Sequence, residues 1–175
     1  VDEYKSTLGI AEGDTLDERI SITPQPQTSV VIMDQYTGEV KAIVGGRGGK
    51  SSSLSLNRAT NSPRQPGSCF KILSTYVPAL DACDYTLATT VEDSPFSYPD
   101  GTPVKNWWGA SYRGNMTVRT AIEQSANVVT VKVLNDITPQ VGYDYLMRFR
   151  FSTLVDGNDP NYPGFSDIQL PTALG

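Results

Sequence analysis

Histidine is absent from this 175-residue chain. A Ser-His-Asp device is thereby excluded, because a serine hydroxyl is a weak nucleophile until a nearby base takes its proton. Cysteine occurs only twice, at Cys69 and Cys83. That is too few for a disulfide framework and, without imidazoles, too few for a typical zinc site. No metal and no cofactor is expected. On one continuing helix the two thiols lie ~20 Å apart, against the ~7 Å limit between Cα atoms in a disulfide. Both are expected to be free and largely buried. No apolar stretch approaches the roughly 18 residues that a membrane-spanning helix needs. A basic surplus is missing too: Lys and Arg number 14 against 19 Asp and Glu, for a net charge of −5. A nucleic-acid partner is therefore not expected.

What remains is ordinary globular material, with 38% hydrophobic and 19% charged residues, long enough for a domain with a real core. The chain opens at Val1 without methionine and ends at Leu174-Gly175. It reads as a portion of a longer protein, with any anchor or targeting segment outside it. Residues 1–27 are polar and carry Pro24 and Pro26, as a linker or the tail of a preceding module would. Residues 28–175 are expected to form the structured part.

Ser29 to Asp34 reads as a buried strand, Gln35 to Gly38 as a turn, and Glu39 to Val44 as a second strand, making a hairpin. Gly45-Gly-Arg-Gly-Gly-Lys50-Ser51 invites a phosphate-loop reading. The spacing fails, because the first glycine of G-x-x-x-x-G-K-[ST] would fall at Val44. A flexible Gly/Ser loop is the better reading. A helix from Ser68 to about Leu80 carries an apolar stripe of Phe70, Leu73, Val77 and Leu80, and Pro78 is expected to kink or end it. Residues 84–114, rich in Pro, Gly, Tyr and Trp, read as a long surface excursion. Trp107, Trp108 and Tyr112 within it could line a cleft or simply pack. Thr117 can cap a short helix to about Gln124. A valine-rich helix from Asn127 to Leu134 needs burial to hold it. Thr138-Pro139 starts a further helix reaching about Phe149, with Thr as cap. The last 25 or so residues show no clear periodicity.

The chemistry centres on Ser68-Cys69-Phe70-Lys71, directly after Arg64-Gln65-Pro66-Gly67. Positions i and i+3 share a helix face, so Lys71 is the candidate base for Ser68 where no imidazole exists. Standing alone, Ser-x-x-Lys is equally the pattern of a capped helix with a solvated lysine. A second signal is Ser125-Ala126-Asn127, which interrupts two expected helices and can therefore present its side chains to a cleft. Its plain alternative is helix-end chemistry, in which Ser and Asn satisfy loose backbone groups. Ser55-Leu56-Asn57 also fits Ser-x-Asn and is read as part of the loop before Ser68.

In order and flanking residues these signals resemble one family. Gly38-Glu39-Val40 leading to Val44-Gly45-Gly46, Leu56-Asn57-Arg58-Ala59-Thr60, the stretch from Arg64 to Lys71, and Thr117-Val-Arg-Thr-Ala121 before Ser125-x-Asn127 look like the transpeptidase domain of class A (bifunctional) penicillin-binding proteins. The resemblance covers roughly residues 27–175. It implies an α+β fragment of the serine β-lactamase/transpeptidase-like fold, an antiparallel sheet flanked by helices, with later strands missing. It implies a D,D-transpeptidase that cross-links peptidoglycan by acyl-serine transfer. Ser68, Lys71 and Ser125 would be catalytic, and Asn127 would bind substrate. Peptidoglycan stem peptides, β-lactam antibiotics and the remainder of the domain would be the partners. The implied location is the extracytoplasmic face of a bacterial plasma membrane.

The family's third motif, Lys-Thr/Ser-Gly, is absent from these residues, so the 175 residues alone are expected to be inactive. Cys69 stands where relatives often have Ser, Thr or Ala. A penicillin-sensing receptor domain and a β-lactamase remain as alternatives. Against the latter, the last glutamate is Glu123, whereas class A β-lactamases use one after the second motif to activate water.

Overall fold

The structure is a computed structural model, which describes residues 7, 9, 26–49, 53–109 and 111–175. Most of the 1–27 linker, and the centre of the Gly/Ser loop, lie outside the described residues. The chain divides into two compact units, Val1–Pro63 and Arg64–Gly175. Its class is α+β, with helices and, among the described residues, two short antiparallel ribbons.

In the first unit, β1 (Val30–Met33) pairs with β2 (Val40–Val44). The turn is set by Asp34, whose carboxylate accepts from the Tyr36 and Thr37 amides at 2.9 and 3.1 Å. Gly38 then adopts a left-handed φ of 73° that glycine tolerates best. The expectation of a buried first strand is not met: every residue of both strands is exposed, including Ile32 at 55%. An apolar run of four residues specifies a strand but not what covers it.

The second unit begins with a composite helix, α1 (67–82). It opens as a 3-10 turn at Gly67–Cys69, widens to a π-helical segment at Ile72–Tyr76, and closes as α-helix at Val77–Ala82. Pro78 does not end it. It occupies the first turn of the α-helical part, where a missing N–H costs least. The π turn, with Val77 N–H reaching back to Ile72 O, breaks the 3.6-residue period. The expected stripe is consequently only partly met: Phe70 is buried, Leu73 and Val77 are half-buried. Leu80 is exposed, while Ser74, Thr75, Tyr76, Pro78 and Ala79 are buried. Tyr76 carries its hydroxyl inward to Thr130 Oγ1 at 2.8 Å, so its burial leaves no polar atom stranded.

The supposed surface excursion is better ordered than its composition implies. β3 (Thr90–Asp93) pairs antiparallel with β4 (Gly114–Thr117), and between them Val104 and Asn106 are buried. Three helices follow: α2 (Val118–Glu123), α3 (Asn127–Ile137) and α4 (Pro139–Arg148). Thr117 caps α2 as expected, its hydroxyl accepting from the Thr120 amide at 3.2 Å. Thr117→Ala is expected to cost about 1 kcal/mol, read as a lower urea midpoint with an unchanged slope.

α3 is a poor intrinsic helix held by burial: Val128, Val129, Val131 and Val133 are wholly inaccessible. It runs on to Ile137, three residues beyond the expected end. The expected Thr138 side-chain cap is not made. Thr138 instead has φ 75° and links α3 directly to α4, so a one-residue junction, rather than a hydroxyl, sets the chain reversal. The C-terminal stretch without periodicity contains a 3-10 turn, Leu170–Leu174, that sends Leu170 and Ala173 into the core.

Candidate active site

Local backbone shape fixes the first half of the site. Gly67 has φ 59°, a left-handed value, and turns the chain from Pro66 into the 3-10 turn that holds Ser68 exposed at the start of α1. Gly175 lies against this turn. A Cβ at Gly175 would stand 2.6 Å from both the N and the O of Gly67, so only glycine allows the backbones to come this close. Among the described residues, the Ser68 hydroxyl makes no hydrogen bond. One turn on, Lys71 is almost wholly enclosed, with 3% of its surface exposed.

The Lys71 ammonium is directed at the second motif. Nζ donates to Ser125 O at 2.8 Å, to Ser125 Oγ at 2.9 Å and to Asn127 Oδ1 at 2.6 Å. All three ammonium hydrogens thus have an acceptor. Burial lowers the amine from its ordinary 10.5 to about 8, because desolvation penalises the charged form.

Ser125 sits in the break between α2 and α3 with φ 50°. A non-glycine residue there carries about 1–2 kcal/mol of strain, and that conformation brings both its carbonyl and its hydroxyl onto one amine. Ala126 is fully buried and serves as the plug between two functional side chains. Asn127 opens α3. Its Nδ2 donates to the Lys105 carbonyl at 2.7 Å, so the amide orientation that presents Oδ1 to Lys71 is held from behind. The Lys105 carbonyl has no sequence signature, since every residue has one.

The other candidates fall elsewhere. In Ser55-Leu56-Asn57 the Asn57 side chain accepts from the Ala59 amide at 3.0 Å, a local turn. Trp107 is 70% exposed and its indole N–H donates to Gln124 O at 2.8 Å, next to Ser125. Trp108 is half-buried under the Arg113 guanidinium, 4.0 Å from the ring centroid. Both cysteines are free, but Cys69 is exposed and not buried as expected, because it follows Ser68 on the open side of the 3-10 turn. No group of metal-ligating side chains occurs among the described residues. No described helix is long and apolar enough to cross a membrane.

Comparison with known proteins adds the following. Residues 28–164 match the model of the penicillin binding protein transpeptidase domain. The chain is 38% identical over 131 residues to penicillin-binding protein 1A of Clostridium tetani, covering 71% of this chain and 16% of that protein. It is 41% identical over 135 residues to penicillin-binding protein 1A of Clostridium botulinum (strain Langeland), again 71% of this chain and 16% of the relative. Among solved structures it resembles penicillin-binding protein 1A from Haemophilus influenzae, with a TM-score of 0.68 at 26% identity, covering 85% of this chain and 21% of that one. The chain thus spans about a sixth of the length of these two curated relatives.

Proposed function

Because this chain belongs to the penicillin-binding protein transpeptidase family, we propose that it carries the nucleophile, base and proton relay of a peptidoglycan D,D-transpeptidase that β-lactams also acylate. Residues 28–175 form the N-terminal part of that catalytic domain, and 1–27 lead into it. The observation that carries the reading is the enclosed Lys71 amine, shared between Ser125 and Asn127 one helical turn after an exposed Ser68.

The chemistry follows from the amine's protonation state. As an ammonium, Lys71 has three donors and no lone pair. As a neutral amine it has one lone pair, and it is half in that state near pH 8 because burial has lowered its affinity for the proton. Neutral Lys71 takes the Ser68 Oγ proton as that oxygen attacks the penultimate D-Ala carbonyl of a stem peptide. The tetrahedral adduct collapses by breaking the C–N bond to the terminal D-Ala. Ser125 passes a proton to the departing amine and is replenished from Lys71, to which it is already hydrogen-bonded. An amine from a neighbouring stem then attacks the acyl-serine ester. It forms the new peptide bond and loses a proton to Lys71 through Ser125, and Lys71 passes that proton to Ser68 Oγ, which leaves as the restored alcohol. Asn127 holds Lys71 through Oδ1, and the Nδ2 hydrogen not used by Lys105 O is the donor for the substrate amide.

A β-lactam follows the first half only. Its ring amide opens on Ser68 and the leaving nitrogen stays tethered. With no glutamate after Ser125 in these residues, the acyl-enzyme is long-lived, which separates this reading from a β-lactamase. The reaction belongs on the extracytoplasmic face of the membrane, where peptidoglycan is. The Lys-Thr/Ser-Gly strand must come from the remainder of the domain, so the 175 residues by themselves stay unacylated.

Peptide mass mapping after incubation with a fluorescent penicillin tests this. In the complete domain, the tryptic peptide Gln65–Lys71 is expected to gain one penicilloyl group, located on Ser68. The 175-residue piece is expected to remain at its unmodified mass. Label on Cys69, or none on the complete domain, overturns the assignment of Ser68 as nucleophile.

A further inference from the structure

The two functional side chains of the second motif stand at the start of α3, where Ala126 is the cap residue and supplies no capping hydrogen bond. The cap comes from a distant segment. Asn106 Oδ1 accepts from the Val128 amide at 3.1 Å. Asn106 Nδ2 donates to Asp93 Oδ1 at 2.8 Å. The other Asp93 oxygen accepts from the Arg113 amide at 2.9 Å. Asp93 and Asn106 are 1% and 5% exposed. Asp93 ends β3 and lies opposite Gly114 of β4, so it is rooted in a paired ribbon. The backbone of Asn106 is fixed as well, its carbonyl accepting from the Gly109 amide at 3.1 Å. The adjacent residue, Lys105, offers the carbonyl that orients Asn127.

We infer that Asp93 and Asn106 are positioning residues for the acyl-transfer centre: a buried relay that fixes the start of α3, and with it the Asn127 amide that holds Lys71. The inference rests on the catalytic reading of Lys71 above. The relay has a defined polarity. Asp93 accepts twice, and Asn106 accepts from α3 while donating to Asp93. A buried donor or acceptor left without its partner is expensive, so the order of the two residues matters.

Asp93→Asn leaves an amide N–H₂ facing either Asn106 Nδ2 or the Arg113 amide, donor against donor. Asn106→Asp leaves two carboxylates facing each other. Exchanging both, Asp93→Asn with Asn106→Asp, restores every pairing: residue 93 donates to residue 106 and accepts from Arg113, and residue 106 accepts from both residue 93 and Val128. The atoms carried by the pair are the same in the exchanged protein, and only their order along the chain differs.

The test measures the penicillin acylation rate and urea stability of the complete domain in seven forms: wild type, the two singles, the exchange, Asn106→Ala, Lys71→Ala, and Asn106→Ala with Lys71→Ala. A displacement of the Asn127 amide by about 1 Å is expected to slow acylation roughly 10- to 100-fold in Asn106→Ala and in each single. The exchange is expected to return the rate to within about threefold of wild type, since every hydrogen bond is remade. In the Lys71→Ala background, Asn106→Ala is expected to slow the residual rate several-fold less than it slows the wild type while still lowering stability, because only the Asn127 contact to the substrate amide is left to lose.

A purely structural role predicts the same loss of rate in both backgrounds, and that result overturns the inference. So does a wild-type rate in Asn106→Asp. If the alanine variant does not fold, the singles and the exchange carry the decision. Failure of the catalytic reading is a separate outcome, visible as a wild-type rate in Lys71→Ala alone.

Discussion

Lys71→Ala in the complete domain is expected to slow penicillin acylation by about a hundred- to ten-thousand-fold, the range that a positioned general base contributes. The effect should be larger than that of any other side-chain deletion among these residues except Ser68 itself, because these 175 residues contain no histidine and Lys71 is the amine hydrogen-bonded to both Ser125 and Asn127. The variant also leaves Ser125 Oγ and Asn127 Oδ1 without their shared donor.

The pH profile gives an independent check. Burial brings the amine to about 8, and the neutral form is the active one. Wild-type acylation therefore rises with pH, reaches half its limit near 8 and levels off above. At pH 7, one unit below, about one-tenth of the molecules carry the neutral amine. In Lys71→Ala the rising limb disappears. The same shift has a stability consequence of opposite sense to a salt bridge. Between about 8 and 10.5 the folded protein binds fewer protons than the unfolded one, so stability rises with pH across that window. An acylation rate within tenfold of wild type in Lys71→Ala, or a flat wild-type profile between pH 6 and 9, removes Lys71 as the base.

Gly142→Ala is expected to be among the most destabilising single-methyl changes in the chain, at about 3 kcal/mol. Gly142 is buried on α4, and a Cβ there would stand 2.5 Å from the Ser74 carbonyl oxygen and 2.8 Å from Leu134 Cδ1. Ser74 lies inside the π-helical segment of α1. Its carbonyl faces outward to α4 because Pro78, four residues on, has no N–H to take it. The backbone atom cannot swing aside as a flexible side chain could, so α4 must move away from α1. The expected result is a urea midpoint lowered well beyond that of Thr117→Ala, which loses one exposed-side cap. A Gly142→Ala protein with wild-type stability contradicts the close approach of α4 to α1.

Parts of this architecture were legible residue by residue. The hairpin turn at 35–38 follows from an aspartate that bonds its own backbone and a glycine that accepts left-handed φ. The α2 cap follows from Thr117, and the start of α4 from Pro139. Each of these is local chemistry within four residues. The π segment is not legible, because nothing in Ile72 to Tyr76 names an extra residue per turn, and the stripe reading of α1 breaks down with it at Leu80. The β3–β4 ribbon is not legible either. Asp93 at the end of β3 and Asn106 in the connection to β4 are buried, yet both score as surface residues in any hydrophobic pattern and are inside because their polar atoms are satisfied by each other and by the Val128 and Arg113 amides. The identity of Thr138 suggests a side-chain cap, but the residue forms the direct junction of two packed helices with φ 75°.

The order of residues by itself determined which groups could meet across short spans: a hydroxyl and an amine three positions apart at a helix start, and a serine and an asparagine flanking an alanine at a helix break. It also determined that no imidazole within these 175 residues competes for the proton. Only the tertiary structure decided where the amine points and how it titrates. Lys71 reaches acceptors 54 and 56 residues along the chain, and its lowered proton affinity comes from desolvation. That property belongs to everything packed around the side chain, and no local spacing encodes it.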